Sequence, residues 1–349
     1  MTARRPLVGI LAGEGIDGAV FHGDGTFFKS LQYEVQKAGE LCCVVTLSSF
    51  HESGVSGFVY SRRHQQWAKV ELPLPLVIYN RLPDRAAEET TGYRLFMTRM
   101  KAEKIPFFNP FFFNKWDVYC LLKQKLNTSL PRTHKVTSHN DILMFMNDCP
   151  SAYLKPVDSS HGQGIFRIRK ASAGFKLTSA DGSDTCYKDL RTACRPFLNG
   201  YLIQEEAHTD TVLGRKYDLR ALVHLSRGEF TITGIGVRAA GGPAHPTTHV
   251  KYGGTLLPFE SVREKADLDH LQAILSTAGY ELSRSFGLIA EFSADIGLTE
   301  KGPVIFELNS KPMSFDEASI QKKRLSRILS LFFELSKGTA FQSPRLPLR

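Results

Sequence analysis

Three residues in the C-terminal part of the chain have the types and spacing to hold a metal ion: Asp295, Glu307 and Asn309. They lie in IAEFSADIGLTEKGPVIFELNSKPMSF, where two β-rich runs, residues 288–296 and 303–308, flank the turn-forming LTEKG and predict an antiparallel hairpin. Strand alternation puts Glu307 and Asn309 on one face with Leu308 pointing away. Asp295, near the end of the first strand, faces them across the pair. Two carboxylates and an amide form an oxygen cage suited to Mg²⁺, with Mn²⁺ as the alternative. Such a hard cation takes one or two carboxylates and fills its other positions with water and phosphate oxygens. An ordinary hairpin with solvated acidic residues has the same spacing; the string ELNSKP at the strand end favours the cage.

Other polar residues recur at the ends of expected elements. Lys115 opens a helix over 114–126, and Lys155 sits on a strand over 153–157. The polar turn 158–164, with Ser160, Gly162 and Gly164, offers N–H groups that can close over phosphates, although many hairpins have such turns. YLIQEEA, 201–207, is a strand ending in Gln204, Glu205 and Glu206. KYDLRALV, 216–223, alternates so that Asp218 and Arg220 share one side, and Arg238 ends the next strand. The glycine-rich loop 241–254 carries His245, His249 and Gly253; two histidines without further ligands make no zinc site, and a substrate-facing loop fits better. Asn80 and Arg81 end a strand where open α/β sheets place ligands, and a capped strand end is the equal alternative.

The elements that must position these residues alternate strand and helix over about the first 110 residues, which predicts a small doubly wound α/β domain. Asp24 caps a helix that stops near Gly39 and carries Phe27, Phe28, Leu31 and Val35 on one face. GEGIDG, Gly13 to Gly18, matches the dinucleotide GxGxxG string, but no helix follows it directly and no acidic residue ends the second strand. Residues 264–280 form an amphipathic helix, 283–286 lead into the hairpin, and 320–336 close as a helix with an apolar stripe.

Composition excludes several classes. A chain of 349 residues with 42% hydrophobic and 23% charged residues is globular, and it has no apolar run of membrane-spanning length. Without a secretory pattern at its start, the expectation is cytoplasmic. Six cysteines show no metal spacing and read as reduced and structural. The net charge of +9 is concentrated after residue 320, so the body is only mildly basic and sequence-directed nucleic-acid binding is not expected.

In order, the chain presents lysine, lysine with glycine turn, QEE, DxR, Arg238, glycine loop, and D…ExN. That series resembles the nucleotide site of the ATP-grasp superfamily, and VIYNRLP, YLIQEE, YDLRALV, TTHV before GG and ELNSKP are similar to the YheC/YheD group of endospore coat-associated members. The resemblance implies an α+β ATP-grasp domain over 113–338 with a lid lobe at about 150–203. It is preceded by a Rossmann-like domain over 1–112 and followed by a loose tail from 339. It implies ATP and Mg²⁺ as cofactors. Lys115 and Lys155 would bind phosphate, with Ser160, Gly162 and Gly164 in the lid. Gln204, Glu205 and Glu206 would form the adenine hinge, and Asp218 would lie near the ribose or its neighbouring phosphate. Arg220 and Arg238 would act at the γ-phosphate and acyl group. Asn80, Arg81, His249, Gly253, Ser310 and Lys311 would face substrate. Met313, where most members have glycine, and His249, where glutamate ligases have asparagine, depart from the pattern, so substrate choice does not carry over. The implied activity is an ATP-dependent carboxylate–amine or carboxylate–thiol ligase acting through an acyl phosphate. A nucleotide-binding structural or assembly protein of the spore coat, with coat proteins as partners, is the alternative.

Overall fold

The computed structural model describes residues 5–159, 163–242 and 245–337. Short apolar runs set its first sheet: VGIL (Val8–Leu11), CCVV (Cys42–Val45) and VIYN (Val77–Asn80) are buried at every position, as strands covered on both faces must be. They pair in parallel in the order Cys42–Val45, Val8–Leu11, Val77–Asn80, Phe107–Phe108. A hairpin, Gly54–Ser61 with Gln66–Leu72, extends this sheet antiparallel beyond Cys42–Val45. Gly25–Lys37 is the expected helix: Asp24 accepts the Phe27 N–H at 3.0 Å, and Phe27, Phe28, Leu31 and Val35 are buried. The GEGIDG segment forms a two-residue pairing, Gly13–Glu14 with Phe21–His22, and Glu14 accepts from the Ser48 N–H at 2.9 Å and hydroxyl at 2.7 Å. A strand-to-helix phosphate turn is therefore absent there.

The middle sheet is antiparallel throughout, in the order Thr133–Val136, Tyr201–Glu205, Ser151–Pro156, Phe166–Ala171, Gly174–Ser179, Asp184–Tyr187. The last two strands and the helix Leu190–Cys194 occupy a stretch the sequence leaves unassigned, because Asp184–Tyr187 has no buried residue and so no apolar alternation to read. The helix His139–Asp148, opened by the Ser138–Asp141 capping box, sets Ile142, Phe145 and Met146 in one core with Leu154, Ile168 and Ile203.

The third sheet is also antiparallel: Thr255–Leu257, Glu229–Ala239, Arg215–Ser226, Glu291–Thr299, Gly302–Asn309. Its inner residues, with those of Leu268–Phe286 and Ala318–Ser336, share one apolar core with the first sheet. Leu268–Phe286 runs past residue 280, correcting the expectation that 283–286 lead into the hairpin. Its apolar spacing continues through buried Leu282, and nothing breaks it before Gly287, whose φ of +90° suits glycine. The hairpin turn is tighter than LTEKG: Thr299 pairs with Gly302, leaving Glu300 and Lys301 between the strands. Asp295 is therefore in the interior of its strand, not near its end. Cys42, Cys43 and Cys194 are buried, whereas Cys120 and Cys186 are exposed, so a structural role for all six thiols is corrected to those inside.

Candidate nucleotide and metal site

The ladder register builds the site. Asp295 stands opposite Glu307, Arg220 opposite Asp295, and Asp218 opposite Arg238. Directly paired residues project from the same face of an antiparallel sheet, so four strands deliver two arginines and three carboxylates to one surface. Arg238 Nη2 donates to Asp295 Oδ1 at 2.8 Å. Lys115, at the start of the helix Lys115–Leu126, lies 3.6 Å from Glu307 Oε1, and Asn114 caps that helix through the Trp116 and Asp117 N–H groups. Asn309 shares the Glu307 face opposite Ser293, whose buried hydroxyl has no partner. Among the described residues no group of three His, Cys, Asp or Glu is placed to hold a metal ion by itself. A cation here would rest on Asp295, Glu307 and Asn309 and need outside oxygens, which is how Mg²⁺ is usually held.

Asp218, Arg238, Asp295 and Glu307 of this face floor a cleft lined also by Tyr153, Lys155, Gln204, Glu205, Lys216, Phe306 and the segment from His245 to His249; Arg220 and Asn309 are not among its lining residues. Lys155, on the middle sheet, donates to Gln204 Oε1 at 2.5 Å, and Gln204 donates to Thr133 Oγ1 at 3.0 Å. Burial draws the Lys155 ammonium down to about 8 despite Glu307 nearby. Burial likewise pushes the Asp218 carboxyl up to about 6, although Thr248 donates to it at 2.6 Å and Arg238 is close. Burial also acts to raise Asp295, but Arg238 and Arg220 outweigh it and hold that carboxyl below its ordinary range. Arg220 and Arg238 each keep a buried Nε with no hydrogen-bond partner, and Arg220 lies under the Phe315 ring at 5.2 Å. Buried cationic groups left unsatisfied suit an anionic ligand.

The remaining expected residues are distributed as follows. Glu205 accepts the Arg132 N–H at 2.9 Å at the cleft edge. Glu206 is turned into a network with Lys216, Ser151, Tyr153 and Arg167, so its side chain is already occupied. His249 lines the cleft and caps the turn Val250–Tyr252, which Gly253 ends at φ +85°. Gly164, at φ +70°, packs against Pro156 and Tyr201; Ser160 and Gly162 lie outside the described residues.

Asn80, Arg81, Ser310 and Lys311 are gathered elsewhere, at the junction of the first and third sheets. Asn80 is fully buried and donates to Glu88 at 2.9 Å, Tyr93 at 3.1 Å and the Asn109 carbonyl at 3.1 Å. Lys311 is paired with buried Glu88, Ser310 donates to the Phe111 carbonyl at 2.6 Å, and Arg81 donates to the Pro312 carbonyl at 3.0 Å. The crevice at the strand ends of the first sheet is thus filled by residues 310–312 of the same chain.

Sequence reasoning missed the charged cluster beneath this junction. Glu291 receives Tyr79 Oη at 2.5 Å and Arg324 Nε at 2.5 Å, and His224 Nε2 lies 3.2 Å away without hydrogen-bonding alignment. Burial would raise the Glu291 carboxyl, but Arg324 and His224 outweigh it and hold it far below its ordinary range. The available signal was a lone glutamate inside the apolar run LIAEF.

A solved ATP-grasp ligase, PsnB, in complex with a phosphomimetic variant of a minimal precursor, Mg and ADP, superposes with a TM-score of 0.55 at 13% identity, covering 96% of this chain and 99% of that one. D-alanyl-alanine synthetase A from Vibrio cholerae superposes with a TM-score of 0.56 at 12% identity, covering 97% and 99%. The fold is the ATP-grasp fold. Residues 104–337 match the YheC/D like ATP-grasp family, and the chain belongs to that family. The endospore coat-associated protein YheD of Bacillus subtilis is 30% identical over 331 residues, covering 88% of this chain and 72% of the relative. Among the described residues no helix is long and apolar enough to cross a membrane.

Proposed function

We propose that the protein binds ATP with Mg²⁺ in this cleft and ligates a carboxylate to an amine or thiol through an acyl phosphate. The observation that carries this reading is the cross-strand run Asp218–Arg238 and Arg220–Asp295–Glu307, which sets carboxylates for a cation beside partnerless guanidinium nitrogens for anions. Carboxylate and ATP are both anionic, and Mg²⁺ bound by Asp295, Glu307 and Asn309 would supply the charge that lets them meet. Lys115 and Lys155 approach Glu307 from the helix start and from the middle sheet, where they can meet phosphate oxygens. Arg238 would offset charge on the tetrahedral oxyanion, an effect worth about 10²–10³ in rate in other enzymes. Closure of the middle lobe over the cleft would keep water from the acyl phosphate. Such an enzyme would work in the cytoplasm.

A second reading is a nucleotide-binding assembly protein of a spore coat, which the name of the 30%-identical relative supports. Calorimetric titration with a non-hydrolysable ATP analogue, with and without Mg²⁺, tests what both readings share. Phosphate release across a panel of amino acids and short peptides separates them. Magnesium-dependent binding with acceptor-stimulated release supports the ligase; binding with no release under any acceptor supports the assembly protein, and no binding at millimolar analogue rejects both.

A further inference from the structure

The outer strand of the metal hairpin, Gly302–Asn309, is the edge of its sheet, paired among the described residues on one side only. Two of the three candidate cation ligands, Glu307 and Asn309, sit on it, and the ladder has a bulge next to Asp295. A bulged edge strand held from one side has no reason to keep two side chains in one geometry. At its open end the hairpin meets Asn109, at the close of the short strand Phe107–Phe108 in the first sheet. Asn109 is fully buried and has a φ of +55°, a conformation that asparagine tolerates better than most residues. Its Nδ2 donates to the Glu291 carbonyl at 2.8 Å and to the Ser310 carbonyl at 2.6 Å. Its Oδ1 accepts from the Ala290 N–H at 2.9 Å and the Glu291 N–H at 3.3 Å. One amide therefore ties the start of the inner strand to the residue after Asn309.

A second arm lies alongside. The buried Glu88 carboxylate holds the Lys311 ammonium, the Asn80 amide at 2.9 Å and the Phe112 N–H at 2.8 Å. It thereby joins the segment leaving the metal strand to the segment that enters the Lys115 helix.

We propose that Asn109, with Glu88 beside it, is a positioning residue: the N-terminal sheet acts as a brace that holds Asp295 opposite Glu307 and Asn309 in the geometry a divalent cation needs. The brace rests on the cation site proposed above. It assigns the first sheet a role in the neighbouring site in place of a ligand crevice of its own.

The test compares the full chain with Asn109→Gly, which suits the positive φ, and Asn109→Asp, which keeps both acceptor bonds but turns a carboxylate toward two carbonyls. Hydrogen exchange over residues 289–296 and 304–311 and calorimetric binding of an ATP analogue at graded Mg²⁺ are measured together. Expected are faster exchange at both hairpin strands and a rise of about tenfold or more in the Mg²⁺ needed for half-maximal binding, with magnesium-free binding unchanged. If neither position-109 variant folds, Glu88→Gln, which loses the charge toward Lys311 and one of the two acceptor oxygens that serve Asn80, Lys311 and Phe112, must shift the magnesium requirement in the same direction. Folded variants with wild-type exchange and wild-type magnesium dependence overturn the brace. A wild-type chain whose analogue binding ignores Mg²⁺ overturns the cation site and with it the brace's role toward a cation, and faster hairpin exchange in the variants would then show only that Asn109 ties the two strands together.

Discussion

Lys115 Nζ stands 3.6 Å from Glu307 Oε1, so the carboxylate proposed as a cation ligand is balanced by the lysine of a neighbouring helix start. Glu307 is partly exposed and has no other ion pair among the described residues. Glu307→Ala is therefore expected to abolish magnesium-dependent binding of an ATP analogue while changing folding stability by less than about 1 kcal/mol. Calorimetry with and without Mg²⁺, beside urea unfolding of both chains, checks this. Retained magnesium dependence would remove Glu307 from the site.

Lys155 lies in the interior of the cleft wall with Gln204 as its hydrogen-bond partner and the Phe306 ring 5.7 Å from its Nζ. Lys155→Met keeps most of the side-chain volume and removes a buried charge. It should cost about 2 kcal/mol or more of nucleotide binding, roughly thirtyfold, by analogy with lost buried charge pairs. Stability of the ligand-free chain should hold or rise, since a buried charge no longer has to be desolvated. A variant that binds nucleotide as the parent does would place the phosphates elsewhere.

Glu206 gives a pH signature. Burial acts to raise its carboxyl, but the hydrogen bonds from Lys216 and Ser151 and the charges of Lys216 and Arg167 outweigh it and bring it from 4.5 to about 2. A carboxyl depressed in the folded state stabilises at every pH above its unfolded value, and that stabilisation is lost as pH falls from about 4.5 toward about 2. Glu206→Gln should therefore be less stable at neutral pH by an amount on the order of 3 kcal/mol, and the gap should close through that window. Urea midpoints of both chains across the acid range measure it. A gap that stays constant with pH would show that the ion network contributes nothing through ionisation.

Glu291 is the anchor of the buried cluster with Arg324 and Tyr79. Glu291→Gln leaves Arg324 as an uncompensated buried charge and should cost about 3–5 kcal/mol, whereas Tyr79→Phe removes one hydrogen bond and should cost about 1 kcal/mol. Urea unfolding of the two variants gives the ratio. Near-equal losses would mean that the hydrogen bond from the Tyr79 hydroxyl to Glu291 matters as much as the charge.

The same cluster shows where sequence reading stops. Arg324 counts in the sequence as part of a basic C-terminal stretch, yet the fold takes it out of solvent and neutralises it on Glu291. Asn80 and Arg81 read as ligand residues because they end a buried strand; the Pro110 carbonyl that Asn80 reaches is 30 positions away and the Pro312 carbonyl that Arg81 reaches is 231 away, separations no local pattern reports. In the sequence Asn109 is only the residue before Pro110, and the four hydrogen bonds of its side chain all go to residues 290, 291 and 310, some 180 to 200 positions on. The hairpin itself was legible, because apolar alternation and a turn string are short-range properties.

By itself, the sequence determined the strands and helices with clear periodicity, the pairing partners of the hairpin that carries Asp295 and Glu307, and the residue types that could serve a cation and phosphate. These follow from backbone geometry and side-chain alternation within a dozen residues. Only the tertiary structure decided which polar residues reach the cleft and which are spent inside: Lys155, Asp218, Arg238, Asp295 and Glu307 line it, while Asn80, Glu206, Glu291, Lys311 and Arg324 are consumed by buried partners. The reason is physical. A buried polar group must be satisfied, and whether a neighbour or a ligand does so depends on distant segments meeting in space.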